Sequence, residues 1–487
     1  MQQHYILKIG IVFITLAQPL LAQNDIIDHH RQADSAQIAA YRDLNIPLLI
    51  IETEDHVFPT ADVVWNSSHT AVTLTNHTKV PGRLIMLLKE DTIYDSKEYL
   101  KDESGITLKL RGNSSAAEQD KPGYKIKLQK KTDLLLREDG NNFKDKEWAL
   151  IKENVLKFKE GFYINELIGM PWTPQYRYVN VILNNYVLGH YMLIETVKQG
   201  NHRVNISKEG YCIEYDAYFW NEDITVPSIF DYAYSFKYPD SEDLLPWQLD
   251  YVSQSINQTE IAYSQPNFCA QYIDVNNFAK WLLGHDILGN GDGSGSNIYL
   301  NKYDTTSTAK WYCGPLWDFD GIEQTPNQFS SDHSIIWFNT MFNLPQDTFI
   351  HAYIQEWERI EPFIFDSAIA RINRYATSEE AEDLNKSRLL NQYNNYGNPW
   401  PDTVSVQQDA ARITAWLTNR HVWLKDTISQ MASQYSSEHI QTAIYNPTYK
   451  NIPNTYYSIL GSPVHYPLQG VTIICEDNKI RKIVTAK

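Results

Sequence analysis

Three side chains in the second half of the sequence could supply the oxygen ligands and the base that a phosphoryl transfer would need. Asp292 lies in Asn290-Gly291-Asp292-Gly293-Ser294-Gly295-Ser296-Asn297, five residues before Asn297, and Asp318 follows 26 residues after it in Trp317-Asp318-Phe319-Asp320. Moving a phosphoryl group needs one carboxylate at the attacking hydroxyl and oxygen ligands for a cation that bridges the phosphates. Asp292, in a Gly/Ser-rich loop, suits the first role; Asn297 and Asp318 suit the second. Asp318 and Asp320 alternate with Phe319, so a strand there would put both carboxylates on one face and the ring on the other. Two hard carboxylates on one face suit Mg²⁺ or Mn²⁺.

The loop also admits plainer readings. Asn290, Asp292, Ser294 and Ser296 alternate, with Gly295 in sixth place, as at the start of a calcium loop. The twelfth residue is Asn301 rather than Glu, which excludes a complete EF-hand. An ordinary Gly/Ser turn is the simplest alternative. Upstream, Leu110-Arg111-Gly112-Asn113-Ser114-Ser115 ends a strand in a small polar turn whose amides and hydroxyls could cradle phosphate. Lys125 and Lys127 share one face of the next strand, either as phosphate ligands or as two solvated lysines. Other catalytic layouts fit poorly. Gly293-Ser294-Gly295-Ser296-Asn297 is one residue out of register for a nucleophile elbow, and His-Glu-x-x-His is absent. A pair of glycosidase carboxylates is not excluded among 59 acids.

The elements that must position these groups read in two halves. Ile46 to Ile51, Val72 to Thr75, Leu84 to Leu88, Ile106 to Leu110 and Tyr124 to Leu128 are short apolar or alternating runs between Gly, Pro and Asp/Asn punctuation, the pattern of an antiparallel sheet. A helix is expected over 153–168. Tyr178 to Leu183 and Val187 to Ile194, joined through Asn184-Asn185, form a hairpin pattern. Tyr211 to Tyr215 and Tyr234 to Tyr238 are expected to extend that sheet. From about residue 242 helical spacing takes over, in Trp247 to Ile256, Val275 to Leu288, Phe349 to Tyr375 and Val406 to Met431, with a small β-insert at 297–300 and 311–312.

At 487 residues, 43% of them hydrophobic, the chain has length and apolar content for two or three units. Its net charge of −17 argues against nucleic acid or an anionic membrane as the main partner. Residues 1–22 read as a signal peptide, residues 23–44 as a polar lead-in, and no later stretch is apolar enough for a transmembrane segment. Export to the periplasm, the cell surface or the medium is the expectation. Cys212, Cys269, Cys313 and Cys475 lack metal-site spacing, and buried thiols are the simplest expectation.

Taken in order, the motifs resemble the spore-coat protein H (CotH) kinase family of atypical secreted protein kinases. The resemblance rests on Leu110-Arg111-Gly112-Asn113-Ser114-Ser115 with Lys121-Pro122-Gly123-Tyr124-Lys125-Ile126-Lys127-Leu128, on the hairpin through Leu188-Gly189-His190-Tyr191-Met192-Leu193-Ile194-Glu195, on Tyr211-Cys212-Ile213-Glu214-Tyr215-Asp216, and on Lys237-Tyr238-Pro239. Asn290-Gly291-Asp292, Asn297-Ile298-Tyr299 and Trp317-Asp318-Phe319-Asp320 complete it, so that it spans about residues 45–430. It implies an α+β, protein-kinase-like two-lobed fold over 45–435, with a β-rich N-lobe at about 45–240 and a helical C-lobe at about 241–435. It also implies ATP with Mg²⁺ or Mn²⁺ and an exported protein as phosphate acceptor on Ser or Thr. Asp292 would be the catalytic Asp, and Asn297 and Asp318 the metal ligands. Arg111, Asn113, Ser114 and Lys127 would hold phosphates, with Glu195 near the nucleotide. Two departures motivate a rival reading, a catalytically silent surface protein binding calcium, a partner or a glycan. Ala116-Ala117 stand where an aromatic residue usually follows the first motif, and Lys157 and Lys159 stand where an Arg opens the helix. Residues 445–487 are expected to form a small β domain that resembles a type IX secretion sorting domain.

Overall fold

In the computed structural model the described residues are 30–65, 72–75, 77–112, 121–152, 156–230, 232–265, 268–291, 297–330, 336–342, 348–390 and 404–435, with the backbone of four strands between 455 and 485. Helix α1 (Ser35–Arg42) leads into strands β1 (Leu48–Thr53), β2 (Asp62–Trp65), β3 (Val72–Thr75), β4 (Val80–Leu88) and β5 (Asp91–Asp95). Strands β6 (Ile106–Arg111), β7 (Gly123–Thr132) and β8 (Asp145–Ile151) follow, then helix α2 (Lys157–Ile168) and the hairpin β9 (Tyr176–Leu183) and β10 (Tyr186–Glu195).

The first sheet runs β1-β9-β10-β8-β7-β6-β4-β5, and β1 also pairs with β4. That extra ladder closes seven strands into a ring, with β5 attached outside. Closure removes free edges, the solution small barrels adopt. The two-residue alternation decides which side chains fill the ring. Ile106, Leu108 and Leu110 of β6, Tyr124, Ile126 and Leu128 of β7, and Val179 and Val181 of β9 form its core. The intervening residues Lys109, Arg111, Lys125 and Lys127 therefore stand on the outer wall.

Strands β11 (Tyr211–Asp216), β12 (Thr225–Pro227) and β13 (Ala233–Tyr238) depart from expectation. They do not extend the first sheet. They join β14 (Ile298–Lys302) and β15 (Trp311–Cys313) in a five-stranded sheet ordered β12-β13-β11-β14-β15. Every residue of β11 is buried, so the strand needs a partner on each edge, and β14 supplies the second through the pairing Ile213 to Leu300. Between them lie α3 (Pro246–Tyr263), which opens on a proline, and α4 (Val275–Leu288), capped by the Asp274 side chain on the Asn277 amide.

Helices α5 (Ile336–Phe342), α6 (Thr348–Ile360), α7 (Ile364–Ala376), α8 (Glu379–Leu390) and α9 (Val406–Gln434) complete the helical part. The apolar run at 349–375 divides into α6 and α7 because Pro362 cannot continue a helix. These helices share a second core with outward residues of the barrel, among them Ala149, Tyr178, Ile182, Met192 and Ile194. Cys212, Cys269 and Cys313 are buried. Strands β16 (Thr455–Ser458), β17 (Pro463–Val464), β18 (Gly470–Glu476) and β19 (Lys479–Thr485) form a four-stranded sheet in the C-terminal stretch. The fold is mixed α+β, with a barrel first and helices after it.

Candidate functional site

Helix α4 ends at Gly289, whose φ of +57° and position against Trp416 leave no room for a side chain: a Cβ would lie 2.4 Å from the indole. The chain then runs back along 318–324. Glu323 N–H donates to Leu288 O (2.8 Å), Gln324 N–H to Gly289 O (3.2 Å) and Gly291 N–H to Gly321 O (3.0 Å). Asn290, buried between them, donates its side-chain amide to Asp318 O at 3.1 Å and lies 3.1 Å from His285 Nδ1. Burial pushes His285 down to about 3, so its ring is neutral and Nδ1 accepts. Asn290 thus ties the start of the acidic loop to the backbone of Asp318. Asp292 itself, with 293–296, lies outside the described residues, as do Asn113 and Ser114 and the departure at 116–117.

Asn297 and Asp318 come together. Asn297 Nδ2 donates to Asp318 Oδ2 at 2.9 Å, and the two residues adopt left-handed backbone, φ +66° and +59°. Such conformations are uncommon outside glycine, with Asn and Asp the side chains that tolerate them best. Asp318 is therefore not in a strand, contrary to the alternation expected for 318–320. Asp320 is exposed, its N–H reaches Asp318 Oδ1 at 3.4 Å, and its carbonyl accepts from Lys157 Nζ at 2.7 Å. Loss of solvation pushes the Asp318 carboxyl up, opposed by the Asp320 amide and Arg111. Phe319 is fully buried and meets Phe158 and Phe162 of α2 edge-on, at 5.5 and 5.2 Å between ring centres.

Arg111, at the end of β6, places its guanidinium 5.4 Å from the centre of the Trp317 ring, beside Asp318. Lys127 stands on the outer wall of β7 with a largely exposed side chain, 3.9 Å from Glu147, whose other oxygen pairs with Lys125 at 2.9 Å. Glu195 is buried at the end of β10. One of its oxygens accepts from Arg137 (2.9 Å) and the other from the Gln175 amide (3.0 Å). Of the expected site residues, the structure thus gathers Asn297, Asp318 and Arg111, while Lys127 and Glu195 face partners of their own.

Other members of the neighbourhood are not singled out by the sequence. Glu214 of β11 accepts from the Asn297 amide at 3.2 Å and pairs with Lys237 of β13 at 2.8 Å. Both lie in motifs that carry the family resemblance, yet their meeting depends on the β13-β11-β14 order. Glu160 of α2 is fully buried, and its two carboxylate oxygens have no hydrogen-bond partner among the described residues. Burial, assisted by Asp409 and opposed by Arg412 and Lys157, pushes it up to about 8. No group of three or more His, Cys, Asp or Glu side chains forms a metal cluster among the described residues.

The model of the family described as CotH kinase protein matches residues 108–424, from the middle of β6 to within α9. The chain belongs to the CotH kinase family. Among solved structures, the crystal structure of a Helicobacter pylori proinflammatory kinase, CtkA, is similar over 60% of this chain and 92% of that one, at 10% identity and a TM-score of 0.29. That likeness is too slight to inform the site. No curated protein matches.

Proposed function

We propose that this protein is an atypical protein kinase that transfers the γ-phosphoryl group of metal-ATP to a Ser or Thr hydroxyl of an exported protein. The observation that carries the reading is the Asn297–Asp318 pair, joined at 2.9 Å and tied through Asn290 to the loop that leads to Asp292. A carboxylate and a side-chain amide give the hard oxygen donors that Mg²⁺ and Mn²⁺ prefer, so the residues present fit such an ion. Asn297 and Asp318 would hold such an ion, which would supply positive charge to offset that of the phosphates.

The chain's own groups do the rest. Asp292 orients the acceptor hydroxyl and takes its proton. Arg111, beside Asp318, would hold phosphates together with Asn113 and Ser114, and Lys127 would join them only by leaving Glu147. Glu195 supports the nucleotide end through the strand that carries it. The barrel and the helical part serve as the two lobes. Positioning and charge complementarity supply most of the acceleration, because little covalent chemistry is asked of the protein. The apolar leader at 1–22 supports export, and the four-stranded C-terminal sheet is proposed as a sorting domain.

A second reading, a silent member of the family, is favoured by one observation. Lys157 and Lys159 occupy the place of the helix-opening Arg, and neither is free for phosphate. Lys157 bonds the Asp320 carbonyl, and Lys159 is buried among tyrosines, 3.8 Å from the centre of the Tyr375 ring. The test is thermal unfolding of the chain with ATP, with Mn²⁺ or Mg²⁺, and with both. Stabilisation should require nucleotide and metal together, about 2.7 kcal/mol at a hundredfold excess over Kd. It should vanish in Asp318→Ala. Stabilisation of Asp318→Ala equal to wild type refutes the site, and stabilisation by calcium alone supports the silent reading.

A further inference from the structure

The Asn297–Asp318 pair is held from behind. Glu214, directly across the β11–β14 ladder from Tyr299, is 8% exposed. One of its oxygens accepts from the backbone N–H of Asn297 at 3.2 Å, and the other lies 2.8 Å from Lys237 Nζ. Lys237 also approaches Glu222, at 3.6 Å. Asp216, two residues along β11, has partners of its own in the Tyr218 amide (2.8 Å) and Ser235 Oγ (3.3 Å). The contacts therefore run in one line, from Lys237 through Glu214 to the Asn297 backbone, and from the Asn297 side chain to Asp318.

A partly buried ion pair such as this, with Lys237 a quarter exposed, is a poor stabiliser, since desolvation offsets much of its attraction. This one is spent on a single N–H, that of a residue in an unfavourable left-handed conformation. Strained backbone of this kind persists only where its surroundings over-determine it. We propose that Glu214 is a positioning residue for the phosphoryl-transfer centre: held by Lys237, its carboxylate fixes the backbone of Asn297 so that the Asn297 amide meets Asp318, and so sets the affinity for the divalent cation. The proposal rests on the assignment of Asn297 and Asp318 to the metal-nucleotide site. Groups that orient metal-binding side chains from behind are commonly worth about 10- to 100-fold in affinity.

The experiment is a Mn²⁺ titration at fixed ATP, read as thermal stabilisation of the full chain. Wild type is compared with Glu214→Ala, Glu214→Gln, Lys237→Met and Asp318→Ala, and the unliganded melting temperature of each is recorded. Glu214→Ala should raise the Mn²⁺ midpoint about 10- to 100-fold. Glu214→Gln keeps an oxygen for the Asn297 amide, so its rise should be clearly smaller. If Glu214→Ala does not fold, Lys237→Met carries the test, and its midpoint should also rise. A wild-type midpoint in Glu214→Ala or Lys237→Met, beside a loss of stabilisation in Asp318→Ala, overturns the positioning role and leaves the site standing. Glu214→Gln as impaired as Glu214→Ala also overturns it, because charge rather than the hydrogen bond would then be what matters. Wild-type stabilisation in Asp318→Ala, or none in wild type, removes the site itself and this inference with it.

Discussion

Replacing Gly161 with alanine in the middle of α2 would stabilise an isolated helix by about 1 kcal/mol. Here the added methyl has nowhere to go. A Cβ at Gly161 would lie 2.3, 2.4 and 2.5 Å from three carbons of the Phe319 ring, where contact distance is about 3.5–4.0 Å. The ring is hemmed in by Phe158 and Phe162 and must shift by roughly 1 Å. Overpacking of this kind costs about 1–3 kcal/mol. Set against the helix gain, Gly161→Ala should lose up to about 2 kcal/mol of stability. The larger effect should fall on Asp318, one residue from the displaced ring, since a 1 Å misplacement can cost about 100-fold in rate. The assay is urea unfolding together with Mn²⁺–ATP stabilisation for Gly161→Ala and for Gly161→Ala with Phe319→Leu, in which the smaller side chain makes room. Recovery of ligand stabilisation in the double variant is expected. A Gly161→Ala protein that is more stable than wild type and binds Mn²⁺–ATP equally well would refute the coupling of α2 to Asp318 through Phe319.

Two further outcomes follow from buried charge. Glu160 holds its proton in the fold up to about pH 8, against an ordinary value of 4.5, because burial, with the facing Asp409, outweighs the opposing pull of Arg412 and Lys157. Between those values only the unfolded chain has released the proton, so stability should fall as pH rises, by at most about 1.4 kcal/mol per unit, and level off above about 8. Glu160→Gln should remove that slope in urea unfolding at pH 5.5 and 8, and an unchanged slope would show that Glu160 is not its source. Arg420 of α9 is fully buried and donates to the carbonyls of Asp286, Thr325, Pro326 and Gln328 at 2.6–2.8 Å. Lysine cannot span that fork, so Arg420→Lys should cost about 3 kcal/mol, and wild-type stability in the same assay would count against it.

Local pattern made several elements readable. Val275–Leu288 is helical over the expected residues, because its spacing, its Asp274 cap and its closing glycine agree. The hairpin around Asn184-Asn185 is equally local. Pairing between distant strands was not readable: β11 is buried on both faces, so its composition says that it needs two partners without naming them. Asn297 and Asp318 stood out by residue type and spacing, and the structure brings their side chains together. Their left-handed backbones were not legible, nor was the departure of Asp318 from a strand, because Phe319 is drawn toward α2 by aromatic packing that joins segments far apart in sequence. For the same reason Glu214 and Lys237 stood in flagged motifs without a role. Lys127 shows the opposite limit: alternation placed it on the outer wall, but could not show that it turns toward Glu147.

The five-stranded sheet also bears on how the protein is made. Glu214 and Asn297 meet although 83 positions separate them, and α3 and α4 are threaded between. During synthesis β11 emerges well before β14, and until then one of its edges is bare, an invitation to pair with another chain. Closing so long a connection is an entropic cost met before any contact rewards it. A nascent chain stopped before residue 298 therefore carries all the barrel strands but lacks the strand that brings Asn297 to Glu214, and its bare β11 edge makes it prone to aggregate.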